Sequence, residues 1–131
     1  MTDSAIDLGN LLNYIVKKKD VRASLHIGPE CFVESGDPKP LVKIINYLLN
    51  YLRGITNDAI DVSLKTQSEG CLLCFIASTD EKQLPPLSEN LKDALIQYNA
   101  AIKVVFEEGK YAQLLICFCK GHIPDSVVIE V

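Results

Sequence analysis

Apolar residues in this chain fall into two kinds of spacing, and each marks a different element. Over residues 38–53, Leu41, Ile44, Ile45, Leu48, Leu49 and Leu52 recur at helical spacing and form one stripe. Pro38 and Pro40 suit the first turn of that helix, where a missing N–H costs little. Asp37 can accept from free backbone N–H groups there, and Gly54 can end the helix in a left-handed conformation. The same periodicity places a helix over residues 7–18, with Asp7 as its cap and Leu8, Leu11, Leu12, Ile15 and Val16 on its apolar face. Lys17, Lys18 and Lys19 suit the dipole at its C-terminal end. A third helix is expected over residues 88–100, capped by Ser88, with Leu91, Ala94, Leu95 and Tyr98 on one face.

Elsewhere the period is two. Val21, Ala23, Leu25 and Ile27 alternate with Arg22, Ser24 and His26, and Ile60, Val62 and Leu64 alternate with Asp61, Ser63 and Lys65. Both runs read as half-buried strands. Residues 31–33 make a short strand. Residues 71–77 form a more buried one, entered by a hairpin turn at Ser68-Glu69-Gly70. Residues 102–106 and 111–118 form a second hairpin around Glu108-Gly109, and the tail from His122 to Val131 can add one short strand. The polar segment 78–86 contains Pro85-Pro86 and reads as loop. This order gives an α+β fold: a two-layer sandwich with a mixed, mostly antiparallel sheet and helices on one face.

Composition narrows the function classes. With 131 residues, 48% of them apolar, one domain spanning 1–131 with a real core is expected. A net charge of −4 gives no match to a phosphate backbone, so nucleic acid is not an expected partner. No apolar run reaches transmembrane length, and the N-terminus has no basic region followed by an apolar one. No membrane association and a cytoplasmic location are expected. Five cysteines, an odd number, read as reduced thiols. Cys71 and Cys74 lie three apart on a strand and point to opposite faces, so they cannot easily clasp one metal. Cys117 and Cys119 share a face of another strand. All read as small buried apolar side chains, and no metal site is expected. His26 falls among the polar positions of its strand and reads as a surface residue.

The stretch 36–51, GDPKPLVKIINYLLNY, resembles the N box of the histidine-kinase-like (GHKL, or Bergerat-fold) ATPases, an Asn-Leu-Leu-x-Asn-Ala pattern on a helix after a Gly-Asp turn. The matching residues here are Asn46-Tyr47-Leu48-Leu49-Asn50-Tyr51. The likeness extends from Val21 to Phe118 and is most specific at this box. It implies that Asn46 and Asn50 are the residual nucleotide-binding positions, with Asn50 where the family holds the magnesium of ATP. It also implies the fold just described.

Against that pattern the chain departs in four places. The family's adenine-reading Asp-x-Gly-x-Gly falls on Ser78-Thr79-Asp80-Glu81-Lys82, with no glycine. Only residues 81–87 stand in for the glycine-rich lid that cradles phosphates, and they contain no glycine either. Asn46 stands where an acidic general base is usual. Tyr51 replaces the N-box alanine and is expected to line and partly fill the cleft beside the last helix. Neither His26 nor His122 has the helical setting of a phosphoacceptor. The expectation is therefore a degenerate, non-catalytic domain with no cofactor, acting as a protein-interaction module in bacterial two-component signalling. Partners of the kind implied are a response regulator, a kinase or a sigma-factor regulator, with a homodimer also open. The alternatives are an ATP- and magnesium-dependent kinase or ATPase using Asn50, and the degenerate domain of a histidine phosphotransferase.

Overall fold

The computed structural model describes residues 5–19, 22–28, 31–34, 37–67 and 70–119. The elements follow in the order β1 (Ala5–Asp7), α1 (Leu8–Lys19), β2 (Ala23–Ile27), β3 (Phe32–Glu34), α2 (Lys39–Arg53), β4 (Ile60–Gln67), β5 (Gly70–Ser78), α3 (Leu91–Ile96), β6 (Ala100–Glu107) and β7 (Tyr111–Cys119). Expected features at Val21, Gly36, Ser68, Glu69 and residues 122–131 lie outside the described residues.

Five strands make one sheet in the order β2-β4-β5-β7-β6. β2 runs parallel to β4, with Leu25 beside Val62, and the other three pairings are antiparallel. The parallel pair is separated by α2, the crossover that parallel neighbours require. β1 and β3 form a separate two-stranded ribbon. The helices pack on one face of the large sheet. All six members of the α2 stripe are buried, in one cluster with Val62, Leu64, Leu73, Phe75, Leu114 and Ile116. The fold is the expected α+β sandwich, with a mixed, mostly antiparallel sheet.

Local chemistry explains most boundaries. Asp7 caps α1: its Oδ1 accepts the Asn10 N–H at 3.2 Å. Asp37, two positions before the start of α2, accepts the Lys39 N–H on Oδ1 at 3.0 Å, while the cap position expected for it is held by Pro38. β1 was not legible, since three residues carry no periodicity. Two helix ends differ from expectation. Gly54 stays right-handed, at φ −74°, because the chain continues into one more turn. Ile55 and Thr56 donate to the Leu52 carbonyl at 3.0 and 3.1 Å, and Ile55 is buried. α3 spans six residues instead of thirteen. Ser88 closes a turn ahead of it, accepting the Leu91 N–H on its carbonyl and the Asn90 N–H on its Oγ. Asn99 then turns left-handed, at φ 54°, and sends the chain into β6. The expected apolar face of this helix holds: Leu91, Leu95 and Tyr98 are buried.

The cysteines need one correction. Cys31 and Cys71 are not reduced thiols but a disulfide, with Cα atoms 6.1 Å apart, within the usual span of such a bond. Forty residues separate them in sequence, and the contact arises because the segment entering β3 lies against β5. Cys71 belongs to the helix-side core, whereas Cys74 sits on the opposite face and accepts a hydrogen bond from Gln113 Nε2 at 3.1 Å on its sulfur. Non-reducing peptide mapping is expected to recover the Cys31 and Cys71 peptides linked. Their recovery only as separate thiol peptides would contradict the pairing.

Candidate functional site

α2 is exposed on the side away from its stripe, and this side carries Asn46 and Asn50. Asn46 is half-buried and Asn50 is exposed. The residue after each Asn is a tyrosine, and these two side chains organise the surroundings. Tyr47 and Tyr51 lie one turn apart, with ring centroids 6.4 Å apart and planes tilted by 37°. Tyr51 donates its hydroxyl to the Pro85 carbonyl at 2.6 Å. The Tyr47 hydroxyl accepts the Ser88 N–H at 2.8 Å. Together they fasten the segment between β5 and α3 onto α2. Burial, and to a lesser extent the neighbouring Tyr47, pushes the Tyr51 phenol above its ordinary pKa. The hydroxyl therefore stays protonated and able to donate at neutral pH. A raised folded pKa means that this contribution to stability is complete below the ordinary tyrosine range and lost as pH rises beyond it.

The fastened segment begins at Thr79, the one buried polar residue among those described. Its Oγ1 donates to the Ile55 carbonyl at 2.6 Å and accepts the Glu81 N–H at 3.1 Å, and its own N–H reaches the Lys110 carbonyl at 2.9 Å. One side chain thus joins the end of α2, the end of β5 and the β6–β7 turn. Ser78 donates to Asp58 Oδ2 at 2.7 Å on the wall of an open polar cleft of about 430 Å³.

Between α2 and α3 lies a second, almost wholly apolar groove of about 270 Å³, lined by Lys43, Ile44, Tyr47, Ser88, Leu91 and Ala94 among others. Here the expectation for Tyr51 needs correcting. It is Tyr47 that lines this groove, while Tyr51 reaches past it to Pro85. Neither Asn46 nor Asn50 is among the lining residues. The signal in the sequence for Tyr47 is its position four residues before Tyr51, off the apolar stripe. His26 is exposed on β2 and His122 lies outside the described residues. Among the described residues, no group of three or more His, Cys, Asp or Glu side chains could hold a metal ion, and no helix is long and apolar enough to cross a membrane.

No family model and no curated protein matches the sequence. Solved structures do match. The histidine kinase domain of the Escherichia coli osmosensor EnvZ superposes with a TM-score of 0.73 at 10% identity, covering 100% of this chain and 98% of that one. The ATP binding domain of PrrB from Mycobacterium tuberculosis gives 0.66 at 14% identity, covering 88% and 95%. A structure described as a bacterial phosphotransferase gives 0.61 at 12% identity, covering 88% and 65%. At such identities the likeness concerns architecture: this chain has the fold of the histidine-kinase-like (GHKL) ATPase domain.

Proposed function

We propose that this domain has lost nucleotide handling and acts by protein contact in bacterial two-component signalling. Its partner in this reading is a response regulator, a kinase or a sigma-factor regulator. The observation that carries the reading is the make-up of residues 79–90 between β5 and α3, which contain no glycine and two prolines. A phosphate cradle is built from free N–H groups on a backbone that glycine lets approach the ligand. Here Pro85 and Pro86 have no N–H to offer. Those of Thr79, Glu81, Ser88, Asn90 and Leu91 are engaged with Lys110, Thr79, Tyr47 and Ser88. In this reading the segment does not fit a triphosphate, and Asn50 alone does not fit magnesium. That ion gives up water reluctantly and prefers carboxylates together with substrate phosphates. Loss of one good transition-state contact typically lowers a rate by about two to three powers of ten. Loss of cradle and base together leaves no useful turnover. Incubation with radiolabelled ATP and magnesium is expected to give no phosphoryl incorporation and no phosphate release. Turnover that disappears in Asn50→Ala would overturn the reading.

A second reading, a domain of a histidine phosphotransferase, is favoured by the likeness to the bacterial phosphotransferase structure. It requires a phosphoacceptor histidine on a helical hairpin, and the described helices α1, α2 and α3 contain no histidine.

A further inference from the structure

The groove between α2 and α3 is apolar along its walls and carries donors at its rim. Pro40 and Ile44 of α2 and Leu91 and Ala94 of α3 supply the apolar lining. Lys43 is the one charged side chain among the lining residues, and it is exposed. A lysine so placed lays its stem along an apolar wall and keeps its ammonium in water. The acids nearest in sequence on the α3 side, Glu89 and Asp93, are not lining residues. Tyr47 stands four residues after Lys43, so the two side chains are neighbours on one face of α2. The Tyr47 hydroxyl accepts the Ser88 N–H at 2.8 Å, which leaves its own proton to donate. Among the described residues that proton meets no acceptor, and Lys43 meets no carboxylate. An apolar trough with a cation and a phenol proton at its rim, and no acid in its lining, is complementary to an apolar molecule with an anionic end.

We infer that this groove binds a small amphipathic carboxylate, its apolar chain laid between Ile44, Leu91 and Ala94 and its head at the rim beside Lys43 and Tyr47. Each carboxylate oxygen then has a donor: the Lys43 ammonium serves one and the Tyr47 hydroxyl the other. A phenol that already accepts a hydrogen bond donates more strongly, so the Ser88 N–H supports the second contact. Size sets the length of the chain. The volume of about 270 Å³ corresponds to roughly nine heavy atoms at about 30 Å³ each, fewer than in a drug-sized ligand. A medium-length fatty acid or an arylalkanoic acid meets that description. A nucleotide does not, because its several negative charges would face an apolar trough with one cation. Asn46 and Asn50 are outside the lining, and the inference does not rest on the loss of nucleotide handling.

Titration of the full chain with octanoate, octanol and octylammonium, followed by calorimetry and by amide chemical shifts, tests this. Octanoate is expected to shift the amides of Ile44, Leu91 and Ala94. It is expected to bind about threefold or more tighter than octanol, with octylammonium the weakest. Lys43→Met is expected to reduce octanoate to the affinity of octanol, and Lys43→Glu to reverse the order in favour of octylammonium. Ala94→Phe, shown to be folded by circular dichroism, is expected to fill the groove and abolish binding of all three. No shift at these amides with any of the three probes would overturn the inference. Equal binding of octanoate and octanol, or octanoate binding untouched by Lys43→Met, would overturn it as well and leave the groove as an apolar seat for a protein partner.

Discussion

Leu48→Ala is expected to lower the stability of the folded chain by about 2–5 kcal/mol. Leu48 is fully buried in the middle of the α2 stripe, in the same cluster as the inward residues of β4, β5 and β7. Truncation removes the transfer free energy of three carbons and leaves a void that a helix clamped against a sheet cannot close. Ile44, Ile45, Leu49 and Leu52 are held by the same sheet surface and cannot move inward separately. Urea unfolding measures the effect, as a lower midpoint at unchanged slope. A loss under about 1 kcal/mol would mean that α2 does not rest on the sheet at Leu48 as described.

Tyr47→Phe/Tyr51→Phe is expected to have the next largest effect, and a more local one. The two hydroxyls make the hydrogen bonds to Ser88 and Pro85, each worth about 0.5–1.5 kcal/mol, so the pair amounts to roughly 1–3 kcal/mol. Both rings remain in place, so the loss falls on the attachment of the segment between β5 and α3 and not on the core. That segment contains an exposed lysine, Lys82. Trypsin cleavage after Lys82 is therefore expected to accelerate about 5- to 160-fold in the double variant, the factor set by roughly 1–3 kcal/mol of local opening. An unchanged cleavage rate would mean that Thr79 and the packing of Leu84 and Leu87 hold the segment without the tyrosines.

What the sequence made legible was local in origin. The α2 stripe, the Asp7 cap, the alternation of β2 and β4 and the hairpin at Glu108-Gly109 each depend on residues a few positions apart, and each stands as read. Asn46 and Asn50 lie on that helix away from the apolar stripe, half-buried and exposed respectively. What was not legible depends on contacts between distant parts of the chain. Cys31 meets Cys71 across 40 residues. Tyr51 meets Pro85 across 34, and Tyr47 meets Ser88 across 41. No spacing rule announces such pairs. The length of α3 was misread for a related reason. The periodicity of Leu91, Leu95 and Tyr98 is genuine, but the left-handed Asn99 that ends the helical path is selected by the pairing of Ala100 with Phe118.

A thermal melt with and without magnesium-ATP tests the proposed loss of nucleotide handling most directly. A ligand that binds only the folded state at a hundred times its dissociation constant adds about 2.7 kcal/mol of stability, a rise of several degrees for a domain of this size. An unchanged melting temperature is expected at saturating magnesium-ATP. A clear rise that Asn50→Ala abolishes would contradict it, and would make this chain a nucleotide-binding domain of the kind its fold belongs to.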